Sequence, residues 1–314
     1  MIVVGGEALI DLVPAGGGGV LPALQPVRGG GPYNTAVALG RLGADVAFAS
    51  RVSTDAFGAA LMAGLDAAGV ATGLVQRGAE PTTLAVADVS PDGSAGFRFY
   101  AEGTADRLFR APDALPPQTR ALAVGTCSLV LEPGATAYET LLKRAAADGL
   151  FTLLDPNVRA GLIDDADAYR ARFLAWLPHV AVLKLSVEDA QWLAGGRPWA
   201  EALPGWLAAG PRAVVLTRGG EGLTAVVAEG LERYDVAAPP VDVVDTIGAG
   251  DTVNAALLHW FAAHDALTPG ALAGLGPDGW RAALGHAARA AAITCSRAGA
   301  EPPYAAELDG FADG

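Results

Sequence analysis

Short apolar runs rich in β-branched residues alternate along this chain with longer stretches in which apolar residues recur every three or four positions. That order is expected of strands and helices built around a parallel sheet. Residues 2–5 and 8–13 predict one buried opening strand running through Glu7 to Asp11. Residues 20–27 predict a second strand, joined to the first by the glycine turn 16–19 as a peripheral hairpin. Residues 29–43, GGGPYNTAVALGRLG, place glycines and a proline ahead of a helical pattern carrying Val37, Ala38 and Leu42. A strand at 44–50 and an amphipathic helix at 58–68, with Leu61 and Leu65 inward, follow.

Beyond Val70 the pattern changes. Strands at 82–89 and 97–100, joined by the PDG turn at 91–93, make a hairpin where a crossover would be expected, so this insertion should stand off the main sheet as a lid. Alternation resumes with a strand at 121–125, a helix at 135–147 burying Tyr138, Leu141, Leu142 and Ala145, and strands at 150–154, 180–185 and 213–216. Residues 223–227 and 231–236 predict antiparallel edge strands. Two helices close the chain, one carrying Val253, Ala256, Leu257, Trp260 and Phe261, the other alanine-rich and spanning about 280–295. The expected organisation is one domain over 1–314, with a β lid from about 11–28 and 70–103.

Composition removes several classes of function. With 314 residues, 52% apolar and 18% charged, the chain can bury a large core and is not disordered, and no uncharged apolar run reaches the length of a bilayer span. Twenty-one basic against thirty-four acidic residues give a net charge of −13, which opposes a nucleic-acid partner or an anionic membrane surface. Cys127 and Cys295 form no C-x-x-C pair and the four histidines form no H-E-x-x-H, so neither a disulfide framework nor a zinc site is expected. The start MIVVGGEALIDLV has no basic n-region and no small-residue cleavage site, so a cytoplasmic location is expected.

Candidate chemistry concentrates at element ends. DTIGAGDT, residues 245–252, opens directly into a helical pattern, so Gly248, Ala249 and Gly250 sit where backbone N–H groups are unpaired and attract an anion. Asp251 then stands in the first turn, either as a base beside a phosphate or as a plain helix-start acid. Asp11, a carboxylate inside an apolar strand, needs a partner or a polar ligand unless it faces water at an edge. Asn34, at a second glycine-led helix start, can donate and accept as a polyhydroxylated ligand requires, or can serve as a cap. Asp155, Asn157 and Arg159 of DPNVR follow a predicted parallel strand at the edge where open α/β sheets bind ligands, and the strand at 180–185 delivers Lys184, Ser186, Glu188 and Asp189 to the same edge. TRGGEG, residues 217–222, is a further glycine loop after a strand, and no P-loop string occurs anywhere. On the second hairpin Arg98 and Tyr100 alternate with Phe97 and Phe99, so one lid face is polar toward a ligand or apolar toward a partner subunit.

Taken together, these stretches resemble the ribokinase-like (PfkB) carbohydrate kinases over nearly the whole chain, and most closely the bacterial fructokinases. Residues 29–43 are similar to the family's N-terminal signature and DTIGAGDT to its C-terminal one; GEALIDLVP, PTTLAVADV, FRFYAEGTADRLF and KLS at 184–186 are similar to the fructokinase subgroup. The resemblance implies an α/β fold, a doubly wound, mostly parallel sheet with helices on both faces and a small β-sheet lid. It implies phosphoryl transfer from ATP with magnesium to a sugar, with Asp251 as base and the N–H groups of Gly248, Ala249 and Gly250 facing the developing charge. Asp11, Gly30, Gly31 and Asn34 would hold sugar hydroxyls, with Glu132 a further sugar contact. Arg98, Tyr100 and Arg159 would meet a hydroxyl or a carboxylate, and Lys184, Ser186, Thr217, Gly219 and Gly222 would line the nucleotide. Where many members read N-x-x-E this chain reads S-V-E-D, so either Glu188 or Asp189 would serve magnesium, indirectly through water. Asp245 and Ile247 match the frame of a monovalent-cation site, for K⁺. The resemblance also implies a homodimer in which lids meet. D-Fructose at its 6-hydroxyl is the first substrate expected, with 2-keto-3-deoxygluconate, ribose and nucleosides as alternatives within the family. A dinucleotide-binding oxidoreductase would need G-x-G-x-x-G after the first strand, where this chain has GGEALID, and a non-catalytic sugar sensor would be expected to lack Asp251.

Overall fold

The computed structural model describes residues 1–15, 23–89 and 95–311. Its strands in chain order are β1 Ile2–Gly5, β2 Leu9–Pro14, β3 Leu24–Gly29, β4 Val46–Ser53, β5 Val75–Gly78, β6 Leu84–Val89, β7 Ala95–Tyr100, β8 Ala121–Gly125, β9 Phe151–Asp155, β10 Val182–Ser186, β11 Ala213–Thr217, β12 Leu223–Val227 and β13 Arg233–Val236. The helices are α1 Gly31–Arg41, α2 Ala56–Ala67, α3 Gly134–Ala147, α4 Ala166–Trp176, α5 Val187–Leu193, α6 Trp199–Ala209, α7 Ala249–Ala263, α8 Pro269–Ala273, α9 Pro277–Cys295 and α10 Ala305–Asp309.

Nine strands form one sheet in the order β13-β12-β11-β10-β9-β8-β1-β4-β5, parallel from β5 to β11 and antiparallel at the β12 and β13 edge. Strand alternation sends Ile2 and Val4 into a core shared with α1, α2, α7 and α9, and Val3 into a second core under α3, α4 and α6. Helices therefore cover both faces, as the resemblance implied. Phe261 of α7, fully buried between Phe151 and Trp280, fixes that helix on the sheet; truncating such a ring costs about 3–5 kcal/mol. The strand order reverses at β1, which lies between β4 and β8, and a crevice at the carboxyl ends of the strands opens at such a switch point.

Four strands, β3-β2-β6-β7, form the small second sheet from the two predicted hairpins. Their predicted turns, 16–19 and 91–93, lie outside the described residues. Two expectations are corrected. The opening strand is two strands, because the chain bends at Gly6 and Glu7 and continues as β2 in the small sheet. Both halves are apolar, so hydrophobic pattern alone ran them together. Residues 75–78, expected within the lid, instead form β5 at the edge of the main sheet, paired with Ser50 to Ser53. Asp55, the N-cap of α2, ties the small sheet down by accepting from Thr82 N at 2.9 Å and Thr82 Oγ1 at 2.7 Å.

Candidate active site

The first turns of α1 and α7 meet above the carboxyl ends of the central strands. Gly248 precedes α7 with φ 77°, and a Cβ there would stand 2.6 Å from Ala300 Cβ, so the helix can start in this tight turn only with glycine. Asp251, 7% exposed, is held from the α1 side: Asn34 Nδ2 donates to its Oδ2 at 2.9 Å, and Thr35 Oγ1 donates to its backbone oxygen at 3.3 Å. Burial pushes the Asp251 carboxyl up to about 6, against the pull of the Asn34 hydrogen bond and the Lys184 charge. Such a group is ionised at neutral pH yet basic enough to accept a proton.

Beneath the same turn lies a buried ion pair. Lys184 Nζ donates to Asp155 Oδ2 at 2.8 Å, with both side chains 4% exposed, and Asn254 Nδ2 donates to the same oxygen at 2.7 Å. Burial opposes the Lys184 ammonium, but Asp155, with Asp189 and Asp251 beyond it, holds its pKa above the ordinary value. A Cβ on Gly250 would stand 2.9 Å from Lys184 Nζ, so glycine lets the ammonium approach the helix start.

A cleft of about 560 Å³ opens over this floor. Of the residues predicted for the sugar, Asp11, Gly30, Gly31, Asn34 and Arg159 line it, as do Gly248, Gly250 and Asp251. Lys184, Ser186, Thr217 and Gly219 line its other end, where a second pocket of about 530 Å³ adjoins it. Thr217, Gly219 and Gly250 border both, while Gly222 and Ala249 border the second, whose wall includes Pro239, Val243, Val253 and Ala292. Burial raises Asp11 to about 6, with Arg159 opposing the shift and Glu7 adding to it.

Three predicted contacts fall away from the cleft. On β7 it is Phe97 and Phe99 that line it; Arg98 and Tyr100 point to the other side of the small sheet, and Tyr100 is 58% exposed. Phe99 pairs with the buried Ala85 and so takes the inward position that strand alternation denies to its neighbours. Glu132 faces Arg172 at 3.3 Å and accepts from Thr136 N at 3.0 Å at the start of α3.

Asp189 and Glu188 are separated by their surroundings. Asp189 is buried and accepts from Ser186 N at 3.1 Å, Ser186 Oγ at 2.8 Å and Val158 N at 2.7 Å, whereas Glu188 is exposed on the cleft wall. Asp245 accepts from Ile247 N at 3.0 Å and Gly299 N at 2.9 Å, which closes the 245–247 loop onto the C-terminal segment. Glu7 went unnoticed as a site residue in the sequence. It is buried on the cleft wall and accepts from Thr126 Oγ1, from Ser128 N at 3.1 Å and from Gly31 N at 3.3 Å. The signal was there: a carboxylate flanked by Gly6 and Ala8 in an apolar run needs partners as much as Asp11 does.

A glycine-led helix start, a carboxylate of raised pKa in its first turn and a polar cleft over both form an arrangement suited to phosphoryl transfer to an alcohol. The family described as pfkB family carbohydrate kinase matches residues 1–306, and the chain belongs to it. The chain is 36% identical over 288 residues to the fructokinase of Rhizobium leguminosarum bv. trifolii, covering 88% of this chain and 87% of that one. It is 32% identical over 307 residues to the fructokinase of Klebsiella pneumoniae, covering 96% of each. Among solved structures, the fructokinase of Xylella fastidiosa with bound ATP is similar with a TM-score of 0.89 at 27% identity, over 98% of this chain and 97% of that one.

Proposed function

We propose that this sugar kinase transfers the γ-phosphate of ATP to the 6-hydroxyl of D-fructose, with Asp251 as the general base. The observation that carries the reading is that Asp251, in the first turn of α7, lines the cleft next to Gly250, which borders both the cleft and the adjoining pocket. Asp251 takes the hydroxyl proton as that oxygen attacks in line, and the N–H groups of Gly248 and Gly250 face the charge that develops on the transferring group, while that of Ala249 donates to Thr246 O at 3.3 Å. Asp11, Asn34 and the backbone of Gly30 and Gly31 hold the sugar hydroxyls. Thr217, Gly219 and Gly222 line the nucleotide, and Ser186 lies at the phosphate end.

The cleft lining carries Glu7, Asp11, Glu188, Asp189 and Asp251 against the two cations Arg159 and Lys184, the latter already paired with Asp155, and Arg98 is not part of it. That balance favours a neutral polyol over a sugar acid, and it agrees with the fructokinases to which the chain is similar. Magnesium, when bound with ATP, neutralises phosphate charge. Among the described residues no group of three or more His, Cys, Asp or Glu side chains is placed to hold a metal, which fits an ion carried by phosphates and water with Glu188 as the outer carboxylate. A monovalent cation such as K⁺ would sit at the loop of Asp245 and Ile247. The reading includes a cytoplasmic homodimer joined through the outward face of the small sheet, where Tyr100 is exposed.

A panel of sugars assayed with ATP tests the substrate. The expected result is a kcat/KM for fructose at least about tenfold above those for 2-keto-3-deoxygluconate, ribose and nucleosides. A tenfold preference the other way overturns the fructose assignment. Chelation should abolish activity and added magnesium restore it, and sedimentation showing only monomer would remove the dimer.

A further inference from the structure

We propose that Asp155 and Asn254 are positioning residues for phosphoryl transfer: together with one internal water they clamp the Lys184 ammonium against the first turn of α7, backing the anion site with a fixed positive charge. The proposal rests on the kinase reading and on Asp251 as base.

Asp155 ends β9, Lys184 lies in β10, and Asn254 stands one helical turn beyond Asp251 in α7. Asp155 Oδ2 receives both the Lys184 ammonium at 2.8 Å and the Asn254 amide at 2.7 Å, so one oxygen fixes the lysine and ties it to the helix that carries the base. A buried ion pair is weak grounds for stability, because apolar residues of like volume commonly serve as well or better. What this pair does supply is place: Lys184 lines the cleft and lies against Gly250, where a Cβ would stand 2.9 Å from its ammonium and push it aside.

The other oxygens of the clamp point to a second feature. Asp155 Oδ1 and Asn254 Oδ1 are buried without a protein hydrogen-bond partner, and both residues border a small cavity of about 10 Å³ with Gly31, Thr35 and Thr126. A cavity of that size with two acceptors suits one water, whose two hydrogens satisfy both. The water would join β9 to α7 beside α1.

The groups facing Asp251 are Asn34 from α1, Lys184 from β10, Asp155 from β9 and Arg159 from the loop after β9. Asp155 raises the carboxyl of Asp251 and Lys184 lowers it, so removing the Asp155 charge should move the acid limb of activity to lower pH.

The test measures kcat, sugar KM and the pH profile for Asp155→Asn and Asn254→Leu, each with Lys184 present and in a Lys184→Met background. With Lys184 present, Asp155→Asn should lower kcat about 10- to 100-fold while sugar KM stays within about twofold, and the acid limb should move down. Asn254→Leu should lower kcat about threefold to tenfold with the same split. In the Lys184→Met background neither change should lower kcat by more than about twofold, because the residue it positions is gone. A folded Asp155→Asn enzyme with kcat within about twofold of wild type and an unmoved limb overturns the proposal, as does an equal loss in both backgrounds. Should Asp155→Asn or Lys184→Met fail to fold, Asn254→Leu decides alone by its kcat and KM: unchanged kcat, or a rise in sugar KM instead, overturns the clamp. An Asp251→Asn enzyme of normal rate would sink the base and leave these outcomes readable on their own.

Discussion

The Asn34 side-chain amide donates to Asp251 Oδ2 at 2.9 Å, joining the first turns of two helices 217 residues apart in sequence. The bond orients the carboxylate and favours its ionised form against burial. Replacing Asn34 by Ala should therefore shift the acid limb of kcat/KM to higher pH and raise sugar KM severalfold. A pH–rate profile with a limb that stays or moves down would show that Asn34 does not act through Asp251.

Burial places Asp251 at about 6, and a base works only when ionised, so kcat/KM should fall below an apparent pKa of about 6 and level off above it. Asp11 also lies at about 6, so the two must be separated. In Asp11→Asn sugar KM should rise while the acid limb near 6 persists. Loss of the limb in that variant would transfer the titrating role to Asp11.

The same shift has a stability consequence of opposite sign. A carboxyl raised from 3.8 to about 6 by burial contributes most to stability below its unfolded value, and that contribution is lost as pH rises through the folded one. Ionised Asp251 thus destabilises the fold at pH 7.5, and Asp251→Asn should be more stable there by on the order of 1–3 kcal/mol. The gain should vanish below about pH 4, where the wild-type carboxyl is neutral in both states. Denaturant melts at the two pH values check this, and a variant less stable at pH 7.5 would contradict it.

On β7, Phe99 faces the cleft and Arg98 faces away from it. Arg98→Ala should leave sugar KM within about twofold, whereas Phe99→Ala should raise it about tenfold by loosening the apolar wall of the cleft. A large KM change for Arg98→Ala alone would mean that the small sheet meets the sugar by its other face.

Much of this site was legible because its signals are local. Glycine followed by helical periodicity marks a helix start wherever it occurs, as in DTIGAGDT and the Gly30 to Asn34 stretch. Strand ends likewise located Asp155, Lys184 and Thr217 at one edge of the sheet. Hidden features depended on distant partners. The bend at Gly6 lies between two apolar runs and breaks no periodicity, so Glu7 passed as part of a strand although its hydroxyl partner is Thr126. Alternation along 97–100 shows that Arg98 and Phe99 face opposite ways; only docking of the small sheet decides which way is inward. Glu132 sits after a strand as a ligand residue would, yet it lies outside the cleft lining and faces Arg172 at 3.3 Å. Asp155 meets Lys184 and Asn254 from 29 and 99 positions away, a convergence no local pattern encodes.

The role of Asp251 is tested most directly by the turnover of Asp251→Asn with saturating fructose and ATP–magnesium. Removal of a general base typically lowers the rate by about 10² to 10⁴, and a kcat reduced by that factor in a folded protein is the expected result. A kcat within about threefold of wild type would contradict the assignment of Asp251 as the base.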